Sequence, residues 1–220
     1  MNTLSSPNVA LLLDRLFVEA DAVSPLASPA FAALSSEERT RLMRSKEDYR
    51  DLYTSLKDFA LPVSRATGQL LYILARATQA RSIVEFGTSF GLSTLHLAAA
   101  LRDNGGGRLI TSEFEPSKVA IAKANIAAAS LSDLVEVREG DALETFKVDL
   151  PETIDLLLLD GAKSLYSDVL ALVEDRLRPG AVIVADNADY CPDYLEQVGS
   201  VANGYFTMGF TDDVELSVRL

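Results

Sequence analysis

Residues 83–93, with the sequence IVEFGTSFGLS, join an apolar strand to a helix through a turn that contains two glycines. Such a turn lets the backbone approach a ligand above a sheet, because glycine has no side chain. The spacing of Glu85, Gly87 and Gly91 matches neither the G-x-G-x-x-G of dinucleotide-binding folds nor the G-x-x-x-x-G-K-[ST] of phosphate loops. The segment therefore predicts a ligand-binding turn of another kind or, alternatively, a tight turn with two structural glycines.

Strand and helix patterns alternate on both sides of this segment. Strands are predicted over residues 82–86, 108–113, 135–139, 154–160 and 181–186, and helices over residues 64–79, 91–102, 116–130 and 164–177. The runs 156–159 and 181–185 are continuously apolar, as in central strands covered on both faces. The last two runs, 204–210 and 214–220, are joined by a short turn and predict an antiparallel hairpin. The sequence thus predicts an α/β fold with a mostly parallel sheet.

Residues 1–60 differ in pattern from the rest of the chain and predict a helical extension. In its first part, apolar residues recur at helical spacing, at Val9, Leu12, Leu13, Leu16 and Phe17. A second helix is predicted after an N-cap at Ser35 or Ser36, with a broken apolar face made by Leu42, Tyr49, Leu52, Tyr53 and Leu56. We expect this extension to cap a site or to form a dimer contact, and residues 61–220 to form the main domain.

Composition narrows the class of partner. The 220 residues include 20 basic and 32 acidic side chains, for a net charge of −12, which argues against a surface for nucleic acid or anionic lipid. Cys191 is the only cysteine, so no disulfide closes within the chain. We find neither a signal-peptide pattern nor an apolar run of the ~20 residues that span a bilayer. These features favour a cytoplasmic enzyme that acts on a small molecule.

Polar residues stand at or just after the ends of the predicted strands, at the edge where ligands bind in parallel α/β sheets. They are Glu85, Glu113, Asp141, Asp160, Asp186 and Asn187. Glu113 stands where a ribose-binding acid stands in nucleotide-binding folds, although it could instead cap the helix predicted from Pro116. Asp141 is a candidate acceptor for an adenine amino group. The pattern as a whole predicts a nucleotide-like ligand at this edge.

Several motifs occur in order: Glu85-x-Gly87-x-x-x-Gly91-x-Ser93, Glu113, Gly140-Asp141-Ala142-Leu143, Asp160-x-x-Lys163-x-x-Tyr166 and Asp186-Asn187. From about residue 60 to the C-terminus, the chain resembles the class I S-adenosylmethionine-dependent O-methyltransferases. It is most similar to the cation-dependent catechol and caffeoyl-CoA type and its small bacterial relatives. The resemblance implies a Rossmann-like, mostly parallel seven-stranded sheet over residues 61–220.

The resemblance also implies a set of site residues. S-adenosylmethionine would contact Val63, Glu85, Gly87, Thr88, Ser89, Ser93, Glu113, Asp141, Ala142 and Asp160. A divalent cation such as Mg²⁺ would be held by Asp160, Asp186 and Asn187, whose oxygen atoms are the ligands that this hard cation prefers. Asp160 and Lys163 would be the catalytic pair, with Lys163 as the base for the acceptor hydroxyl. The chain departs from the family at Gly161-Ala162, where a second acidic residue is usual.

The predicted activity is methyl transfer from S-adenosylmethionine to a hydroxyl of a small phenolic or catechol-like acceptor, with a homodimer as the expected assembly. A metal-independent methyltransferase of the same fold is the alternative. An NAD-type oxidoreductase or a non-catalytic nucleotide-binding module is more remote, since the G-x-G-x-x-G motif is missing. His96, the only histidine, is expected in the core rather than in catalysis.

Overall fold

The structure, a computed structural model, describes residues 2–220. The helices are α1 (Pro7–Ala22), α2 (Pro29–Ala32), α3 (Ser36–Arg44), α4 (Tyr49–Ser55), α5 (Arg65–Ala77), α6 (Leu92–Asp103), α7 (Pro116–Ala128), α8 (Ala142–Thr145), α9 (Tyr166–Val173) and α10 (Pro192–Val198). The strands are β1 (Ser82–Phe86), β2 (Arg108–Glu113), β3 (Val135–Glu139), β4 (Ile154–Leu159), β5 (Leu177–Asp186), β6 (Tyr205–Gly209) and β7 (Val214–Arg219). Within residues 2–220, no helix combines the length and apolar character that crossing a bilayer requires.

The seven strands form one sheet in the order β3-β2-β1-β4-β5-β7-β6. Strands β1 to β5 pair in parallel, whereas β7 pairs antiparallel with both β5 and β6. The chain therefore closes with an antiparallel hairpin whose second strand lies next to β5. The predicted α/β fold with a mostly parallel seven-stranded sheet is confirmed.

The central strand β4 is buried on both faces, as its continuous run of leucines predicts. Leu156 and Leu158 belong to one apolar cluster, and Leu157 and Leu159 belong to another on the opposite face. All four side chains have no exposed surface. Because side chains alternate along a strand, such a run contributes to two apolar cores at once.

The extension predicted over residues 1–60 has two parts with different packing. Helix α1 buries Val9, Leu12 and Leu16 in the main core and contacts α6 and α7. Residues 25–60, here named the cap, form a smaller apolar cluster with Phe31 and Leu52 at its centre. The cap, together with the last turn of α1 at Ala20 and Asp21, lies over the carboxyl ends of the central strands.

The predicted second helix of the extension is in fact two helices. Ser35 begins α3 with a capping box, because its hydroxyl accepts from the Glu38 backbone and the Glu38 carboxylate accepts from the Ser35 backbone. The helix ends at Arg44, and α4 begins at Tyr49. Ser45 accepts bonds from the backbone between them, which gives that turn its own stable hydrogen bonds.

The glycine turn after β1 has a structural cause that the sequence does not reveal. Gly87 has φ +102°, and a Cβ added there would lie 2.5 Å from the Asp160 carbonyl oxygen. Gly91 has φ +87° and stands against Ala122 of α7. Gly87 is therefore required by the close approach of two loop backbones, and Gly91 by a left-handed N-cap.

Candidate active site

A cavity of about 260 Å³ lies between the cap and the carboxyl ends of β1, β2 and β4. Six of the predicted cofactor residues line it: Gly87, Ser89, Glu113, Asp141, Ala142 and Asp160. The parallel strands carry these residues, which are distant in sequence, to one edge of the sheet. We call this space the donor cavity.

Glu113 is fixed in the wall of the donor cavity by backbone hydrogen bonds. Its Oε2 accepts from the Ser89 N–H at 2.9 Å, and its Oε1 accepts from the Glu115 N–H at 3.0 Å. The second bond supports the start of α7, where Glu115 is the N-cap residue. Burial nevertheless raises the pKa of Glu113. Each carboxylate oxygen can accept a further bond, so the side chain can serve both the helix start and a ligand in the cavity.

Asp141 is held at the far side of the donor cavity by contacts with two different elements. Its Oδ1 accepts from the Leu143 N–H at 3.0 Å, which caps α8. Its Oδ2 forms an ion pair with Arg50 of the cap, whose guanidinium also contacts the hydroxyl of Tyr49. Arg50 therefore joins the cap to the main domain across the mouth of the cavity.

Four predicted cofactor residues do not line the donor cavity: Val63, Glu85, Thr88 and Ser93. All four are buried, and Glu85 is completely so. Thr94 donates to Glu85 Oε2 at 2.6 Å, while Glu85 Oε1 has no hydrogen-bond partner within residues 2–220. Burial raises the pKa of Glu85 to about 7. In this structure Glu85 thus lies beneath the turn, bonded to the first helical turn of α6.

A second cavity, of about 540 Å³, lies between the cap and the ends of β4 and β5. Its sheet side contains Asp160, Lys163, Asp186 and Asn187. Its cap side is largely apolar and includes Phe31, Met43, Leu52 and Leu56. We call this space the acceptor cavity, and its volume falls in the range of small-molecule sites.

The two cavities share part of their walls, namely Tyr53, Leu61, Asp160 and Gly161. Asp160 therefore faces both spaces. A Cβ at Gly161 would lie 2.5 Å from the Phe86 ring, so an acidic side chain has no room at this position without a shift of that ring. This local packing explains the absence of a side chain at Gly161.

Asp160, Lys163 and Tyr166 form a buried hydrogen-bonded group. Lys163 Nζ donates to Asp160 Oδ1 and to the Tyr166 hydroxyl, both at 2.9 Å, and that hydroxyl donates to the Asp186 carbonyl at 2.7 Å. Burial alone would lower the pKa of Lys163, but the facing Tyr166 and Asp160 oxygens hold it well above its ordinary value. In this state Lys163 is an ammonium donor that fixes Asp160.

Asp186 and Asn187 complete the predicted metal ligands at the end of β5. Burial, and then the charge of Asp160, raise the pKa of Asp186 to about 7. Asn187 has a left-handed backbone with φ +52°, and its amide nitrogen lies 3.4 Å from Asp213 Oδ2. This contact leaves the Asn187 amide oxygen able to act as a ligand.

The donor set fits a hard divalent cation. Asp160 and Asp186 are largely buried carboxylates, and each makes ionisation of the other more costly. Together with the amide oxygen of Asn187, they provide the oxygen ligands that Mg²⁺ prefers and leave positions open for water or a diol. Within residues 2–220, no group of three or more His, Cys, Asp or Glu side chains is arranged as a metal site. Such a cation would therefore depend on the amide of Asn187 and on non-protein ligands.

The sequence analysis missed site residues that the cap, the loop after β2 and α7 contribute. They are Arg39, Arg50, Tyr53, Phe114 and Lys118. Lys118 is buried in the wall of the donor cavity, where burial lowers its pKa. In the sequence, the only sign of this role is that the lysine shares a helix face with mainly apolar residues. His96 is in the core as expected, with its Nδ1 2.8 Å from the Leu92 carbonyl oxygen and its ring edge against Phe17.

Known proteins with similar sequences are methyltransferases. A family model described as "Methyltransferase domain" matches residues 84–188. A catechol O-methyltransferase of Niastella koreensis is 38% identical over 131 residues, which are 58% of this chain and 58% of that protein. The catechol O-methyltransferase of Bos taurus is 34% identical over 157 residues, 67% of this chain and 57% of that protein. The chain thus spans less than three fifths of the length of these curated relatives.

Solved structures give the same result at the level of the fold. An O-methyltransferase from Bacillus cereus in complex with SAH superposes with a TM-score of 0.68 at 24% identity, covering 94% of this chain and 99% of that one. The O-methyltransferase TomG from Streptomyces achromogenes, in complex with SAM, gives a TM-score of 0.64 at 26% identity, covering 88% and 95%. Residues 84–188 thus match a methyltransferase domain, and the chain is similar in sequence and in fold to S-adenosylmethionine-dependent O-methyltransferases related to catechol O-methyltransferase.

Proposed function

We propose that the protein transfers a methyl group from S-adenosylmethionine to a hydroxyl of a small phenolic or catechol-like acceptor. The observation that carries the proposal is the pair of cavities that meet at Asp160. A methyl transferase needs its donor and acceptor side by side and oriented, and such positioning can contribute roughly 7 to 11 kcal/mol to lowering the barrier. The relatives named above, two of them solved with SAM or SAH, support the identity of the donor.

For the donor, we assign Glu113 to the ribose hydroxyls and Asp141 with Ala142 to the adenine end of the donor cavity. Glu113 is already fixed by two backbone donors, so little side-chain entropy is lost when it accepts further bonds. Gly87 and Ser89 would stand along the ligand between Glu113 and Asp160. Val63, Glu85, Thr88 and Ser93 would act on a bound donor only if the loops shift to expose them, because they are buried outside the cavity.

For the acceptor, we assign Asp160, Asp186 and Asn187 to a divalent cation such as Mg²⁺. When bound, the methyl donor supplies an electrophilic methyl group, and the cation lowers the pKa of the acceptor hydroxyl. The chain's own contribution is to hold Asp160 in place through Lys163 and to hold the Asp186 backbone through the Tyr166 hydroxyl. These contacts fix the acceptor side against the donor side.

The predicted role of Lys163 as the base has a specific requirement. Its ion pair with Asp160 at 2.9 Å favours the protonated amine, which cannot accept a proton. If the Asp160 carboxylate is engaged by another positive charge, its hold on the Lys163 ammonium weakens and the amine can release its proton. Lys163 would then receive the proton of the acceptor hydroxyl at the wall of the acceptor cavity.

A metal-independent methyltransferase is the second candidate, and the same ion pair favours it. Lys163 already compensates the charge of Asp160, and Gly161-Ala162 supplies no further carboxylate. In that case Lys163 and the two cavities alone would orient the acceptor. Activity with and without a chelator separates the two candidates.

The experiment begins with calorimetric titration of S-adenosylmethionine, S-adenosylhomocysteine and NADH into the protein. We expect both sulfur compounds to bind and NADH to give no heat. Catechol turnover with added Mg²⁺ should then be lost in a chelator, and Asp186→Ala should lose turnover while retaining S-adenosylhomocysteine binding. Full turnover in chelator would exclude the metal, and the absence of binding by either sulfur compound would exclude the methyltransferase itself.

A further inference from the structure

Arg39 of α3 lies in the wall of the acceptor cavity and is held in one orientation. Its Nε donates to the Phe31 carbonyl at 3.2 Å, and a terminal nitrogen donates to the Ala32 carbonyl at 3.4 Å. The guanidinium carbon stands 4.8 Å from the centre of the Phe31 ring, a cation–π distance. These contacts restrict an otherwise flexible side chain, so that a ligand bound by it would cost little further ordering.

The charge of Arg39 has no counterpart in the protein. Arg39 forms no ion pair with any carboxylate of residues 2–220. Its two hydrogen bonds to backbone carbonyls use two of the five guanidinium N–H groups, which leaves three donors for a ligand. The other basic residue of the cavity, Lys163, is already paired with Asp160. Arg39 is thus the free cation of the acceptor cavity within the described chain.

Arg39 lies on the side of the acceptor cavity opposite the predicted hydroxyl-binding residues. The hydroxyl-binding group, Asp160 with Asp186 and Asn187, occupies the sheet side of the cavity, whereas Arg39 belongs to the cap. Met43 and Leu52 also line the cap side and provide apolar contacts for a flat ring. A guanidinium binds carboxylates in a two-bond geometry, which an ammonium does not match.

Building on the function proposed above, we propose that the natural acceptor is a phenolic or catecholic carboxylic acid and that Arg39 binds its carboxylate. The hydroxyls would lie at the sheet side and the carboxylate at the cap. Asp21, which also lines the cavity, would favour the opposite class, a cationic amine. Asp21 is an exposed residue in the last turn of α1, so its charge is well solvated, whereas Arg39 is partly buried and fixed.

The test compares three acceptors that differ in charge: 3,4-dihydroxybenzoate, catechol and 4-(2-aminoethyl)catechol. Methylated product is measured by mass spectrometry over a range of acceptor concentrations. We expect kcat/KM to be highest for the carboxylate. Arg39→Gln should lower kcat/KM for the carboxylate by about 10- to 100-fold, mainly through KM, because a charge-assisted bidentate contact is lost. The same variant should change catechol turnover less than about threefold.

Two variants control for effects on folding and on overall charge. Arg39→Lys retains the charge without the two-bond geometry and should recover only part of the lost affinity. Arg41→Gln removes an arginine of the same helix whose exposed side chain reaches Asp48, outside the acceptor cavity, and should leave all three acceptors unchanged. An equal loss for the carboxylate and for catechol in Arg39→Gln would overturn the proposal, since it would show a structural role only.

A binding measurement keeps this inference separate from the proposed methyl transfer. Calorimetry of 3,4-dihydroxybenzoate and catechol against the protein with S-adenosylhomocysteine and Mg²⁺ requires no turnover. If no acceptor is methylated, the proposed activity is wrong. The Arg39 assignment is still supported if 3,4-dihydroxybenzoate binds more tightly than catechol and this difference disappears in Arg39→Gln. Equal binding of the two acceptors, or tighter binding of catechol, would refute the assignment even if methylation is observed.

Discussion

Replacing Glu113 by glutamine tests the assignment of the donor cavity in a single measurement. The carboxylate is 8% exposed, accepts from the Ser89 and Glu115 backbones, and faces the cavity. Glutamine has nearly the same volume but replaces one acceptor oxygen with a donor. A hydrogen bond to a charged group contributes about 1.5 to 3 kcal/mol, so loss of one such bond to a ribose hydroxyl should raise the Kd of S-adenosylhomocysteine by roughly 10- to 150-fold.

The assay is calorimetric titration of S-adenosylhomocysteine into wild type and variant, with thermal unfolding to confirm that the variant is folded. Glu139→Gln is the matched control, because it removes the same charge from the end of the neighbouring strand β3. The Glu139 side chain is exposed and lies outside the donor cavity, and we expect less than a threefold change in Kd. Unchanged binding by a folded Glu113→Gln variant would refute the assignment of Glu113 to the ligand.

Three further predictions concern stability, closure of the cap and pH. Gly87→Ala should lower the free energy of unfolding by about 2 to 4 kcal/mol in urea denaturation, because the backbone strain and the contact at 2.5 Å add together. Gly106→Ala has a similar φ of +107°, but its nearest atom is at 4.0 Å, so this control should lower the free energy of unfolding by only about 1 kcal/mol. Equal losses in the two variants would contradict a role for the close contact. Arg50→Gln should accelerate S-adenosylhomocysteine dissociation by about two- to fivefold in stopped-flow measurements, because it removes a largely exposed ion pair with Asp141. An unchanged dissociation rate would mean that the cap does not retain the ligand. Burial raises the pKa of Glu85 from 4.5 to about 7, so its ionisation destabilises the fold: its contribution to stability is fully present below about pH 4.5 and declines as the pH rises to about 7. The stability of Glu85→Gln should therefore gain up to about 3 kcal/mol relative to wild type between pH 4.5 and pH 8. A difference in stability that does not vary with pH would contradict the argument from burial.

The sequence predicts the sheet well because its strands carry strong local signals. The first three strands were predicted with the bounds found in the structure, and β4 differs by one residue at Asp160. The start of β5 was placed at residue 181, although the strand begins at Leu177. Arg178, Pro179 and Gly180 resemble a loop locally, and only the pairing of Leu177 with Ile154 draws them into the sheet. Tertiary pairing overrides local preference there.

The site residues divide according to whether a local pattern could reveal them. Polar residues at strand ends can be found from the strand pattern, and this pattern predicts Glu113, Asp141 and Asp160 as site residues. In the structure, all three line the donor cavity. Glu85 is the last residue but one of β1, and its side chain points toward Thr94 beneath the turn. A strand's sequence places a residue near the edge of the sheet without stating which way its side chain points at the final turn.

The contribution of the cap could not be predicted from the sequence. Arg50 meets Asp141 across 91 positions, and Arg39 is aligned by carbonyls of the preceding turn rather than by a motif. The helical pattern of residues 1–60 indicated an extension but not which part would reach the site. In the structure, residues 25–60 form walls of both cavities, while α1 packs mainly in the core and reaches the acceptor cavity only with its last turn. Packing between distant segments decides such roles, and an amphipathic pattern alone does not encode its partner.

In the proposed function, donor and acceptor react where the two cavities meet at Asp160. The most direct measurement is mass spectrometry of a panel of hydroxylated aromatic acceptors after incubation with the purified protein, S-adenosylmethionine and Mg²⁺. We expect one acceptor class to gain a single methyl group in proportion to the S-adenosylhomocysteine formed, with no product when the methyl donor is omitted. Tight binding of S-adenosylmethionine with no methylated product from any phenolic or catecholic acceptor would contradict the claim and indicate a binding module instead.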